Sequence, residues 1–130
     1  MWRILILHII RTTELKCKRH NYLMTELKPN PTLKDLQLYI KGLCKERGWD
    51  ENNHNEIFLL FTEEVGELAK AIRKRSGLHI DKTKSSSKTE LEEELADVLN
   101  YLLDLANYFE IDLEQAFRDK NKINESRNWD

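Results

Sequence analysis

The chain has 130 residues, with 21 Lys and Arg against 23 Asp and Glu and a formal net charge of −2. Charged residues make up 34% of it, and it has only 4 Gly and 2 Pro, which favours an all-α domain with one modest core over a sheet protein. From Pro31 onward fifteen basic residues face twenty-one acidic ones, a balance unlike the electrostatic footprint of a duplex nucleic-acid binder.

The first thirty residues read as an N-terminal extension distinct from a domain spanning 31–130. The extension reverses the charge balance, with six basic residues against two acids. Trp2, Ile4, Leu5, Ile6, Leu7, Ile9 and Ile10 form an apolar patch interrupted by Arg3 and His8. The patch is too short to span a bilayer, and it lacks the ordered regions of a secretory signal, so no membrane partner is expected. Three readings stay open: a native start at Met24 with non-native or disordered residues before it, a targeting peptide, or an extra element packed on an oligomer. Cys17 and Cys44 have no ligand spacing and read as reduced thiols of a cytoplasmic protein.

Asn30-Pro31-Thr32 predicts a helix start with Pro31 in the first turn. Leu33, Leu36, Ile40 and Leu43 then recur at helical spacing up to Gly48, and Trp49 follows at the turn. A second helix is predicted over 55–76, after His54 and with Gly77 as its C-cap. Lys70, Arg73, Lys74 and Arg75 suit the negative end of that helix. Residues 77–88 lack periodicity and read as a connection, either a plain linker or a lid carrying Lys82, Lys84 and Lys88. A third helix is predicted over 89–109. Asp112 then caps a fourth, anchored by Leu113, Ala116 and Phe117. The expected fold is a four-helix bundle.

Two acidic clusters sit where helices normally face their core. At roughly 100° per residue, Ile57, Leu60, Phe61, Leu68 and Ala71 form one apolar stripe, with Glu64 inside it and Glu67 on its edge. On the third helix the expected stripe is Leu91, Leu95, Val98, Leu102, Leu105 and Phe109, and Glu94, Asp97 and Tyr101 follow one edge. If the two stripes pack together, as many as four carboxylates converge. Unrelieved, such a group is unfavourable, because the charges repel and lose hydration. An all-oxygen set suits Mg²⁺, with Mn²⁺ as substitute. The bland alternative is that each cluster is a solvated acidic helix face.

Glu63-Glu64-x-x-Glu67, followed after a gap by Glu94-x-x-Asp97, resembles the signature of the MazG-like nucleotide pyrophosphohydrolases of the all-α NTP pyrophosphatase superfamily. Gly48-Trp49, Val65-Gly66-Glu67-Leu68-Ala69 and Asp97-Val98-Leu99 extend the likeness, which runs from about Thr32 to Trp129. It implies hydrolysis of nucleoside triphosphates to monophosphate and pyrophosphate, in a homodimer or homotetramer with sites near subunit contacts. The metal ligands would be Glu64, Glu67, Glu94 and Asp97, with Glu63 as general base or as a residue behind the ligands. Lys120, Asn124 and Arg127 share one helical face, and Lys-x-x-x-Asn-x-x-Arg resembles the element tied in this family to triphosphate binding. Trp49 reads either as a core-capping aromatic or as a base-stacking one, and Tyr101 as a half-buried core tyrosine or a nucleotide contact. His54 is a further candidate substrate contact, against a surface or capping role. The rival functions are a non-catalytic nucleotide- or metal-binding regulatory module and a helical interaction domain.

Overall fold

A computed structural model describes residues 25–78 and 88–127. The apolar N-terminal patch, Met24, Cys17, and the linker residues Lys82, Lys84 and Ser85 to Ser87 lie outside the described residues. Among those described, the chain forms four helices and no strand: α1 (Leu33–Arg47), α2 (His54–Arg75), α3 (Lys88–Tyr108) and α4 (Leu113–Glu125). None of these helices is long and apolar enough to cross a membrane.

Local chemistry sets the helix ends. Thr32 caps α1 through a reciprocal capping box, in which Asp35 N–H donates to Thr32 Oγ1 and Thr32 N–H donates to Asp35 Oδ2. Pro31 therefore precedes the cap instead of entering the first turn. Gly48 closes α1 at φ 69°, a left-handed conformation that costs glycine little. Asn53 and Glu56 form a second capping box at the start of α2. At its end Ser76 is the cap and Gly77 takes the left-handed position after it. Asp112 caps α4, accepting from Gln115 N–H at 3.0 Å.

α2 and α3 pack side by side along much of their length and run antiparallel. Their order is visible in the contacts: Lys74 near the end of α2 pairs with Glu90 near the start of α3. α1 lies across α3, and the core between them is Ile40, Cys44 and Leu103, walled by Leu33, Leu36, Tyr39, Trp49 and Leu113. α4 has its main packing on α1. Thr25 lies against α1 at Gly42, where a Cβ would sit 2.6 Å from Thr25 Oγ1.

A buried polar knot joins three helices. Gln37 on α1 is 6% exposed. Its amide donates to Ile111 O at 2.9 Å and to Asn107 Oδ1 at 3.3 Å, while its carbonyl accepts from Leu113 N–H at 2.9 Å. Asn107 returns a bond to the Gln37 backbone carbonyl at 2.9 Å. One side chain thus satisfies backbone groups in the turn between α3 and α4, which otherwise lack helical partners.

The apolar stripe of α2 packs as expected, with Ile57 and Ala71 buried and Leu60, Phe61 and Leu68 partly covered. That of α3 packs only in part, with Leu91, Val98 and Leu105 partly covered. Leu95 is 53% exposed, and Leu102 and Phe109 are exposed too; Phe109 also falls one residue past the helix. α3 carries apolar residues on two faces, and only one can meet α1 and α2. The inward face holds Leu103 and Ala106, with Glu94, Asp97 and Tyr101 partly covered beside them. Two of the three expected α4 anchors are also exposed, Ala116 and Phe117, because only Leu113 reaches the core.

Candidate active site

The carboxylates converge because α2 and α3 run in opposite directions. Glu64 lies about two turns from Ile57 and from Ala71 on the same buried stripe, so packing that stripe carries it inward to 7% exposure. On α3, Glu94 and Asp97 are three residues apart and share one face. Opposed, Glu64, Glu94 and Asp97 each offer a carboxylate oxygen within 4.8 Å of the others.

No Lys or Arg among the described residues pairs with these three. Burial holds the Glu64 carboxyl above the usual range, and the charges of Asp97, Glu94 and Glu63 add to the effect. Burial raises Glu94 in the same way, helped by Asp97 and Glu67, and burial raises Asp97. Three partly desolvated anions with no Lys or Arg partner among the described residues favour a bound cation or a proton. Oxygen-only ligands on two rigid helices fit a hard divalent ion such as Mg²⁺.

The other acids divide. Glu67 is exposed, with its carboxylate 2.9 Å from Lys70 Nζ, and stands outside the trio although its charge acts on Glu94. Glu63 is exposed beside Glu64. Tyr101 is half-buried one turn beyond Asp97, and its hydroxyl is pushed up to about 12 by burial and then by Glu64, Asp97 and Asp104.

Trp49 sits at the α1 terminus, with its ring against the core and the Arg47 guanidinium 4.9 Å from its centroid. It lines a cleft of about 150 Å³ together with Cys44, Ile57, Asp104, Asn107 and Tyr108. His54 lies on the first turn of α2, with its ring 5.4 Å from Tyr108, which lines that cleft, and 5.7 Å from Phe109. Ten residues separate it from Glu64, roughly 15 Å of helix. Lys120 and Asn124 lie in the last turns of α4, whereas Arg127 falls two residues past the helix, so the expected helical face ends at Asn124; both cations are exposed, and none of the three pairs with Glu64, Glu94 or Asp97. One chain therefore gathers three acids and keeps the basic face apart.

Asp104 was not among the candidates drawn from the sequence. It continues the Glu94, Asp97, Tyr101 stripe by another three residues, and that spacing is the signal that marks it. Its Oδ1 accepts from Cys44 Sγ at 3.6 Å. Burial holds its carboxyl above the ordinary range, and the same contact, after burial, helps push the Cys44 thiol up to about 12.

Residues 52–128 match the model of the MazG nucleotide pyrophosphohydrolase domain. The chain is similar to dCTP pyrophosphatase 1 of Mus musculus, 33% identical over 102 residues that cover 76% of this chain and 60% of that protein. Its likeness to dCTP pyrophosphatase 1 of Homo sapiens is 35% over 102 residues, with the same coverage. Uncharacterized protein YpjD of Bacillus subtilis (strain 168) is 46% identical over 87 residues, covering 65% of this chain and 76% of that protein. The chain spans about 60% of the length of the dCTP pyrophosphatases it matches. With four helices, an acidic trio between α2 and α3, and a family match over more than half its length, the chain belongs to the MazG nucleotide pyrophosphohydrolase family.

Proposed function

We propose that this protein is a Mg²⁺-dependent nucleoside triphosphate pyrophosphohydrolase that releases nucleoside monophosphate and pyrophosphate and clears unwanted nucleotides from the cytoplasmic pool. One observation carries the reading: Glu64, Glu94 and Asp97 bring three carboxylate oxygens within 4.8 Å of one another, with no Lys or Arg partner among the described residues. Family membership gives that cluster its chemistry, and the named activity of the mammalian relatives supports dCTP as the first substrate to test.

In this reading Glu64, Glu94 and Asp97 hold the ion, and Glu67 joins them by exchanging Lys70 for the metal. A bound Mg²⁺ supplies charge neutralisation on the triphosphate and a polarised water for attack at the α-phosphorus. Glu63, exposed beside the ligands, serves as base or supports them. Tyr101 reaches the nucleotide from one turn beyond Asp97, and Trp49 covers the base. Lys120 and Arg127 hold the outer phosphates with Asn124 in support, so that pyrophosphate departs with its charge compensated. In a single chain that basic face lies apart from the acids, so we assign it to the site of a second copy in a homodimer or homotetramer. Exposed Leu59 on α2 and Leu95, Leu99 and Leu102 on α3 support such an assembly.

Phosphorus NMR of the products, without added pyrophosphatase, tests the reading. Monophosphate and pyrophosphate are expected from Mg²⁺ and a nucleoside triphosphate. Orthophosphate and a diphosphate as primary products overturn it, and so does the absence of turnover across a panel of canonical and damaged ribo- and deoxynucleoside triphosphates.

A further inference from the structure

Glu94, Asp97, Tyr101 and Asp104 form one continuous stripe on α3, at spacings of three, four and three. The metal-binding acids occupy its first half. Asp104 stands seven residues beyond Asp97, about 10 Å along the helix. That is the scale of a nucleoside from its 5′ phosphate to the far edge of its base. At this end the stripe enters the cleft of about 150 Å³ lined by Trp49, Ile57 and Tyr108.

The cleft is too small for a whole nucleotide, since sites for drug-sized ligands enclose about 300–1,000 Å³. Its size suits a single ring against an indole. Its polar groups are not equivalent: Lys41 and Asp50 line it from exposed positions, while Asn52, Asp104 and Asn107 are half-buried. Asn107 is engaged by Gln37 through both its amide nitrogen and its carbonyl. Asp104 Oδ1 accepts only the weak thiol donor of Cys44, and Oδ2 has no hydrogen-bond partner among the described residues. A carboxylate only accepts, so the group it recognises must donate. The 4-amino group of cytosine is such a donor, whereas uracil and thymine present a carbonyl oxygen at the same position. Acceptor facing acceptor leaves a partly buried carboxylate unpaired, which is the stronger part of discrimination.

We propose that Asp104 is the base-reading residue of this site and selects a 4-aminopyrimidine, with Cys44 fixing one carboxylate oxygen and Trp49 covering the ring. The proposal rests on the pyrophosphohydrolase reading for its substrate class, but it can fail separately.

The test compares wild type, Asp104→Asn and Asp104→Ala by pyrophosphate release from dCTP and dUTP, and by calorimetric binding of dCMP and dUMP. In wild type, kcat/KM favours dCTP over dUTP by about tenfold or more. Asp104→Ala brings the ratio close to one, mainly by loss on dCTP. Asp104→Asn keeps the shape and an acceptor for the thiol, but its amide donates to a 4-carbonyl, so the preference shrinks or inverts. An unchanged ratio in either folded variant overturns the assignment, as does a wild-type preference for dUTP or for a purine. If no triphosphate is hydrolysed, the functional reading fails while the monophosphates still decide on Asp104. Tighter dCMP than dUMP in wild type, lost in Asp104→Asn, then supports it, and equal binding of the two in wild type overturns it. Should Asp104→Ala not fold, Asp104→Asn decides alone.

Discussion

Glu64 on α2 and Asp97 on α3 bring carboxylate oxygens within 4.8 Å of one another across the antiparallel helix pair, with no basic side chain among the described residues paired to either. A fold that needed only stability would place an apolar pair there, because truncation or neutralisation of one buried like charge relieves repulsion. Glu64→Gln and Asp97→Asn should each reduce Mg²⁺-dependent hydrolysis by about 100-fold or more, beyond the usual effect of losing a group behind a ligand. The metal-free melting temperature should rise, and helical circular dichroism should persist. Wild-type turnover in either variant at saturating Mg²⁺ would show that the ligands are assigned wrongly.

The same repulsion has a pH signature. The Glu64 carboxyl lies above its ordinary value of 4.5 in the folded chain, from burial first and from Asp97 and Glu94 after it. As pH rises past 4.5 the unfolded chain ionises freely while the folded one resists, so the folded state loses stability until the raised value is passed. Asp35 and Asp112 act in the opposite sense, since their hydrogen bonds lower them. The difference in melting temperature between wild type and Glu64→Gln isolates the Glu64 contribution. Without metal, wild type should fall relative to the variant from pH 4.5 upward and then level off. Saturating Mg²⁺ should remove or reverse the fall. A flat difference across the carboxylate range would mean that Glu64 carries no electrostatic penalty.

Gln37 should be the most sensitive polar position outside the site. Replacing it with Leu keeps the bulk but leaves Leu113 N–H, the Ile111 carbonyl and Asn107 Oδ1 without the partners that Gln37 supplies. Each stranded buried group costs about 1–3 kcal/mol. A melting temperature lower by roughly 4 °C or more is expected for a domain of this size. The loss should appear equally with and without Mg²⁺, because the knot sits at the junction of α3 and α4 and not at the acids. A change below about 1 °C would mean that water replaces the side chain at no cost.

What could be read from the sequence was local. Asp112 and Gly77 mark helix ends through contacts within a turn, so Asp112 was located as a cap and Gly77 to within one residue of one, while the Asn53–Glu56 box that starts α2 was missed. The Glu64 and Asp97 pairing was also legible, because two periodicities placed acids against apolar faces. The inward face of α3 was not. Leucines occupy both of its sides, and only the crossing of α1 decides that Leu103 is buried while Leu95 and Leu102 stay exposed. Gln37 looked like a polar interruption between Leu36 and Ile40 until its partners, seventy or more residues away, were in place. Asp104 gains meaning only from Cys44 and Trp49 across the same crossing.

The basic face of α4 yields the sharpest test of assembly. Lys120 is exposed on α4 and Arg127 is exposed two residues past its end; α4 has its main packing on α1, while the acids lie between α2 and α3. If α4 serves a second copy, Arg127→Ala should lower kcat/KM for the triphosphate and spare Mg²⁺ affinity measured by calorimetry. Glu64→Gln and Arg127→Ala would then damage complementary halves of one shared site. Mixed and reassociated at equal amounts, two such variants in a two-fold dimer give mixed pairs in half of the population. Each mixed pair holds one site with both lesions and one with neither, so roughly a quarter of wild-type activity should return. If α4 acted on its own chain, every site would carry one lesion or the other, and mixing would restore nothing beyond the average of the two variants. Subunit exchange confirmed by mass spectrometry, without recovery, would remove α4 from the neighbouring site.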